Sequence, residues 1–346
     1  MIRASTFSLP LRRGSSALKA IKSTTHRSAS TSFASKRELN QSFKLPDGRT
    51  LGFAEYGIQD GYPLFYFHGF PSSRLEPAPI DDIFRKHNLR AITPDRPGFG
   101  ISSPQPGRRI TDWPADVRAL AENLRLPHYA VLGGSGGGPY ALACAHLLPR
   151  EQLSAVGVLA GAPPWEAGPG VPLPIATKMS RPRRMLAASA DRTPGVLRVV
   201  SDASVGLIKW MATTRAVTKR IDAWLEAQVK SAKTTNPDGK QPRTTEERRE
   251  LILRPLFEGF AQGSGAMVEE TQLLAHDWGF RFEDVTFDKI SIWHGLKDAN
   301  APIEMIRYMA ERLPHAHLHE FDDTHYTIGR RLDEVLSELL SDAKAH

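Results

Sequence analysis

The sequence holds a single cysteine, Cys144, so no disulfide can close within it and nothing in it calls for an oxidising compartment. Cys144 lies in Ala-Leu-Ala-Cys-Ala, where small apolar neighbours raise a thiol's pKa, and it reads as packed helix rather than as a nucleophile. No apolar run approaches the roughly eighteen residues that a membrane-spanning helix needs. Acidic residues are missing from positions 1 to 37, which carry five Arg and three Lys. Taking those eight from the 45 basic residues leaves 37 against 38 acidic ones, so the net charge of +7 belongs to the leader. Phosphate-backbone binding needs basic residues clustered on a folded surface, and a nearly neutral remainder takes that argument for a nucleic-acid partner away. What is present, 40% hydrophobic and 24% charged residues, is the balance of a globular chain.

Residues 1–37 are rich in Arg, Ser and Ala, and lack the apolar segment of a secretory signal. That make-up fits a mitochondrial transit peptide, with a disordered tail and a cytoplasmic protein as the alternative. From about Phe43, short apolar runs ending in Gly, Pro or Asp alternate with segments of helical period. Leu64 to Phe67, Arg90 to Thr93, Tyr129 to Leu132, Ser154 to Leu159 and Ile290 to Trp293 read as buried strands of a parallel sheet. Helices fit Asp112 to Leu124, Pro139 to Leu148, Ile303 to Leu313 and Leu332 to Leu340. The expected fold class is therefore α/β, a mostly parallel, doubly wound sheet whose ligands sit beyond the carboxyl ends of the strands. Residues 38–164 and 285–346 form this core. Residues 165–284 show no convincing strand and read as an inserted helical cap, with a mobile loop over Thr234 to Thr245 at the turn signal Asn236-Pro237-Asp238-Gly239.

The chemistry concentrates at strand ends. After Leu132 comes Gly133-Gly134-Ser135-Gly136-Gly137-Gly138-Pro139 and then an apolar helix, which is G-x-S-x-G in its required strand-to-helix context. Glycines at 133 and 137 relieve clashes around a strained nucleophile, and the helix N-terminus favours an oxyanion beside Ser135. A dinucleotide-binding loop fails on spacing, because Pro139 stands where the last glycine belongs, and no Lys-Ser/Thr follows as a P-loop requires. The strand Leu64 to Phe67 ends in His68-Gly69-Phe70-Pro71, whose Phe70 N–H is expected to form an oxyanion hole with Gly136 N–H, His68 keeping a structural hydrogen bond. Downstream, Ile290 to Trp293 runs into His294-Gly295-Leu296-Lys297-Asp298, and Leu318 to Phe321 into Asp322-Asp323-Thr324-His325. The order Ser135, Asp298, His325 is that of the nucleophile-elbow fold: nucleophile, orienting acid and base. Glu166 competes as the acid because it follows the preceding strand, but that strand's apolar run ends by about Ala160. Asp322 and Asp323 share the histidine's own loop and would need a sharp reversal to reach it.

Over about residues 44 to 340 the chain resembles the α/β-hydrolase superfamily. The resemblance is carried by His68-Gly69-Phe70-Pro71, Asp95-Arg96-Pro97-Gly98-Phe99-Gly100, the Ser135 motif, Trp293-His294-Gly295 with Asp298, and Thr324-His325. It implies a structural turn near the active site over Asp95 to Gly100 and a helical cap before the strand that carries the acid. Ala275-His276-Asp277-Trp278-Gly279 also resembles epoxide hydrolases, whose nucleophile is an aspartate, but Asp277 lacks an elbow glycine and the elbow position here is serine. His315, His317 and His319 alternate along one strand without a carboxylate at ligand spacing, so no metal is expected. The function expected is a serine hydrolase acting on a carboxylic ester or a related small acyl substrate through an acyl-enzyme, with no cofactor. The alternatives are a non-catalytic ligand-binding protein or an acyltransferase. Trp210, Met211, Trp224, Met267 and Trp278 are the expected substrate-binding side chains, because the insertion sits over the strand ends.

Overall fold

The computed structural model describes residues 39–231 and 244–344. The leader lies outside the described residues, as does the loop expected over Thr234 to Thr245 apart from Thr244 and Thr245. There Thr244 caps the next helix in a reciprocal box with Glu247.

The chain opens with β1 (Gln41–Lys44) and β2 (Thr50–Gly57), then β3 (Tyr62–Phe67), α1 (Asp81–Lys86), β4 (Leu89–Pro94), α2 (Trp113–Asn123), β5 (Tyr129–Gly134), α3 (Gly138–Leu147) and β6 (Leu153–Leu159). The insertion follows as a small hairpin, β7 (Glu166–Gly168) and β8 (Val171–Pro172), and helices α4 (Arg181–Arg192), α5 (Pro194–Thr213), α6 (Arg215–Ser231), α7 (Thr245–Gly259) and α8 (Gly265–Ala275). The core resumes with β9 (Ile290–Gly295), α9 (Ile303–Ala310), β10 (Ala316–Phe321) and α10 (Leu332–Lys344).

Eight strands form one sheet in the order β1-β2-β4-β3-β5-β6-β9-β10, parallel from β4 to β10 and antiparallel where β2 meets β1 and β4. The antiparallel edge was not legible as such in the apolar runs. The β1–β2 pairing follows from the Asp47-Gly48 reversal, with Gly48 at φ +87°, because so short a turn can join only antiparallel neighbours. The β7–β8 hairpin corrects the expectation of a strandless insertion. Strands of two and three residues are too short for any periodicity to register.

Helices cover both faces. One apolar layer joins Trp113, Val117 and Leu120 of α2, the wall of α3 around Tyr140 to Cys144, and Met305, Ile306 and Met309 of α9. The opposite layer joins Phe84 of α1 to Leu332, Val335, Leu336 and Leu339 of α10 around Leu64, Leu132 and Trp293. Cys144 is fully buried in the first layer, and burial pushes its thiol well above the ordinary range, as expected for a packing residue. No helix among the described residues is long and apolar enough to cross a membrane. This sandwich leaves only the strand ends open, and the insertion stands there.

Candidate active site

β5 is buried along its whole length and ends at Gly134, after which the chain turns sharply into α3. Ser135 sits on that turn at φ +50°, a left-handed conformation that a serine adopts only when its surroundings impose it. The imposition is visible at its neighbours. A Cβ on Gly133 would stand 2.3 Å from the Gly137 carbonyl oxygen, and one on Gly137 would stand 2.2 Å from the Phe67 carbonyl oxygen. Gly137→Ala is therefore expected to lower stability by about 1–3 kcal/mol through overpacking. Gly206→Ala, in an open stretch of α5 where a new Cβ meets nothing within 4 Å, should raise it by about 0.5–1 kcal/mol. Urea midpoints measure both, and equal effects would contradict this reading of the turn.

Ser135 Oγ lies 3.0 Å from His325 Nε2, and His325 Nδ1 lies 2.7 Å from Asp298 Oδ2. Three loops, after β5, β9 and β10, thus converge at adjoining strand ends. Asp298 is buried, and its other oxygen accepts the amides of Asn300 at 2.7 Å and Ala301 at 2.8 Å. Burial pushes its carboxyl up, but the His325 hydrogen bond, the His325 charge and the Ala301 amide outweigh that, and the pKa is held below its ordinary value. His294 backs the same carboxylate at 3.4 Å while its Nε2 reaches the Ala301 carbonyl at 2.8 Å.

The competing acids are engaged elsewhere. Glu166 bonds His276 Nδ1 at 2.8 Å and accepts the Asp277 amide at 3.0 Å. Asp322 takes Lys297 Nζ at 2.8 Å, and Asp323 takes Thr327 Oγ1 at 2.7 Å and Arg331 at 3.2 Å. Asp277 accepts the Gly279 amide within its own turn. His317 is exposed, and His319 stacks on Trp293 with Glu338 2.9 Å from its Nε2. Among the described residues no group of three or more His, Cys, Asp or Glu could hold a metal ion.

Opposite Ser135 stands the loop after β3. A Cβ on Gly136 would lie 2.7 Å from Phe70 Cβ and 3.3 Å from Phe70 N, so the missing side chain is what lets the two loops meet. Glu76 takes the Gly69 amide with both oxygens, at 3.1 and 2.9 Å, and the Tyr66 hydroxyl at 2.9 Å. That leaves the next amide, Phe70 N–H, without an acceptor among the described residues. On the loop's other side Arg96 donates to the carbonyls of His68 and, at 2.9 Å, Gly69. Arg96 is itself held 2.8 Å from Glu270 of α8, which also binds Arg108 and the Tyr140 hydroxyl, all of them buried. His68 is fully buried, donates from Nδ1 to the Gly69 carbonyl and accepts the Arg96 amide. Burial and the Arg96 charge push its pKa well down, which suits a neutral structural histidine. Sequence reasoning placed Arg96 in a turn near the site without its role, and missed Glu76 and Glu270, the latter because its partners Arg96, Arg108 and Tyr140 lie far off in sequence.

The cavity over Ser135 and His325 measures about 200 Å³. The insertion contributes to it through the segment Met179 to Ala187 at the start of α4 and through Thr271, Leu274 and Ala275 of α8. None of the five expected substrate-binding side chains lines it. Trp210 and Trp224 lie on the outer surface, 64% and 55% exposed, and Met211, next to Trp210 on α5, is partly exposed. Met267 faces Ala190 and Val268 in a separate cluster between α4 and α8. Trp278 packs edge-on against Phe282 in the core beneath. Helical spacing identified an apolar side for each helix but not which of them crosses the strand ends.

A family model for the alpha/beta hydrolase fold matches residues 62–329. The chain belongs to the α/β-hydrolase family. Among curated relatives, the chain is 34% identical over 120 residues to a non-heme chloroperoxidase of Streptomyces lividans, covering 34% of this chain and 43% of that protein. It is 31% identical over 116 residues to a proline iminopeptidase of Arabidopsis thaliana, covering 33% of this chain and 30% of that protein. The matches therefore span less than half the length of either relative. An esterase from Exiguobacterium antarcticum superposes with a TM-score of 0.58 at 18% identity, over 88% of this chain and 100% of that one. A bromoperoxidase from Bacillus anthracis superposes with a TM-score of 0.57 at 19% identity, over 87% and 99%. At such identities the superpositions establish the fold, and the family membership rests on the sequence match.

Proposed function

We propose that this α/β-hydrolase is a serine hydrolase that cleaves a carboxylic ester or a related small acyl substrate. The observation that carries this reading is the continuous relay from Ser135 Oγ through His325 to the buried Asp298. His325 Nε2 takes the Ser135 proton as Oγ attacks the acyl carbon, and the carbonyl oxygen becomes an oxyanion facing the Phe70 and Gly136 amides. His325 then returns the proton to the departing alkoxide, releasing the alcohol and leaving the acyl group on Ser135. A water attacks that acyl group and gives a proton to His325, which passes it to Ser135 Oγ as the acid departs, so one ester and one water become one acid and one alcohol. Asp298 stays ionised throughout, fixing the tautomer that puts the Nε2 lone pair toward serine.

A fluorophosphonate probe tests the proposal directly. Labelling of the wild type and none of Ser135→Ala is the expected result, and no labelling of a folded wild type would sink it. Residues 1–37 we propose to be a mitochondrial address, and their fusion to a fluorescent reporter that stays diffuse in the cytosol would refute that.

A further inference from the structure

One charge in the cavity wall has no part in the acyl-transfer steps. Arg183, in the first turn of α4, lines the same cavity as Ser135 and His325 and is half-buried there. The other deeply placed arginines are matched: Arg96 by Glu270, Arg108 by Glu270 and Glu269, Arg74 by Asp95 and Glu258. Arg183 has neither a hydrogen bond nor an ion pair among the described residues. Asp298 lies close enough to be felt as a charge, but its oxygens are already taken by His325 and by two amides. Thr271 is the other polar side chain of the wall beside Ser135, His325 and Arg183, and the remaining surface is apolar, with Phe70, Trp165, Leu186 and Leu274 among its parts.

A guanidinium partly shielded from water and given no counter-ion is less favourable in the empty protein than in water. Burial indeed pulls the Arg183 pKa below its ordinary value, against the pull of Asp298. An entering anion would relieve that cost, and the planar fork of arginine matches a carboxylate through two parallel hydrogen bonds. One guanidinium in an otherwise uncharged wall balances one negative charge. The cavity, at about 200 Å³, is smaller than the roughly 300–1,000 Å³ typical of sites for drug-sized ligands.

We propose that Arg183 is the carboxylate-binding residue of this site, and that the substrate is a short ester or lactone carrying a second, free carboxylate. This rests on the acyl-transfer reading for the scissile group, but recognition of the anion can be measured without turnover. In the Ser135→Ala background, calorimetry would compare monomethyl glutarate with methyl pentanoate, an uncharged ester of the same acyl length. With Arg183 intact, the glutarate monoester should bind at least about tenfold more tightly, the scale of a charge-assisted hydrogen bond. Arg183→Met should bring the two affinities together, Arg183→Lys should keep part of the difference, and Arg183→Glu should reverse the preference. Equal binding with Arg183 intact, a preference that survives Arg183→Met, or no binding of the glutarate monoester in the millimolar range would each overturn the assignment. Ser135 takes no part in this measurement, so a protein that binds the monoester selectively but resists fluorophosphonate refutes hydrolysis alone. One that labels at Ser135 but ignores the carboxylate refutes Arg183 alone.

Discussion

Asp298→Asn is expected to lower kcat by on the order of ten-thousand-fold, the scale seen when the acid of a serine–histidine relay is made neutral. The reason lies in how the two carboxylate oxygens are used. Oδ1 accepts the Asn300 and Ala301 amides and Oδ2 accepts His325 Nδ1–H. An asparagine that keeps its oxygen on the backbone amides turns its NH2 toward Nδ1. The imidazole must then carry its proton on Nε2, where it can no longer accept one from Ser135. Packing is unchanged, so the variant should melt near the wild type while losing turnover. Glu166→Gln, Asp322→Asn and Asp323→Asn should each stay within about tenfold, or roughly 1.4 kcal/mol, because their oxygens serve His276, Lys297, and Thr327 with Arg331. Steady-state rates on a short aryl ester decide the matter. If Glu166→Gln is the crippled variant, the acid has been assigned to the wrong loop.

Glu270→Gln is the substitution expected to cost most in stability, about 3–5 kcal/mol, because it takes the counter-ion from the buried Arg96 and leaves the buried Arg108 with Glu269 alone. Glu270, Arg96 and Arg108 are all buried. Burial pushes the Glu270 carboxyl up, but the charges of Arg96 and Arg108 more than reverse this, and its pKa is held below the ordinary 4.5. A carboxyl depressed on folding contributes stability that is present above its unfolded pKa and is lost as pH falls through the folded one. The gap between wild type and Glu270→Gln in urea midpoint should therefore be full at neutral pH and close as the solution is acidified below about 4.5. Reactivity should fall as well, since Arg96 holds the His68 and Gly69 carbonyls that set the Phe70 amide opposite Ser135. A pH-independent gap would mean that Glu270 acts by shape alone.

The parts of the site visible in the sequence share one property: each follows a buried strand directly. Ser135, Asp298 and His325 could be placed because a parallel sheet delivers every strand end to the same side, so three loops far apart in sequence become neighbours without any knowledge of the packing. Phe70 and Gly136 followed from the same logic. Arg96 also follows a buried strand, but nothing in the sequence shows that it reaches the His68 and Gly69 carbonyls, and Glu76, Glu270 and Arg183 carry no such mark. A glutamate within an insertion helix looks the same in sequence whether it faces solvent or two buried arginines. The substrate wall failed for a related reason: the tryptophans of α5 and α6 lie on an apolar side of their helices, yet Trp210 and Trp224 face outward, and α4 and α8 close the cavity. The antiparallel edge was hidden because the residues along β1 and β2 say nothing about strand direction.

The insertion also has a consequence for how the molecule is made. β6 pairs with β9, Val156 against Ile290, so two central neighbours of the sheet are separated by the whole helical segment. Closing so long a span adds little to the entropic cost of the native state, because loop closure grows only logarithmically with length. It weighs more on the order of events. Until the ribosome has released everything up to β9, β6 stands as an exposed edge, and all seven of its residues are apolar or otherwise destined for burial. An unpaired edge of that kind is a template for another chain. Synthesis is vectorial, and His325 lies on the strand-end loop that emerges after β10. The nascent protein therefore passes through an aggregation-prone state before His325 can stand beside Ser135.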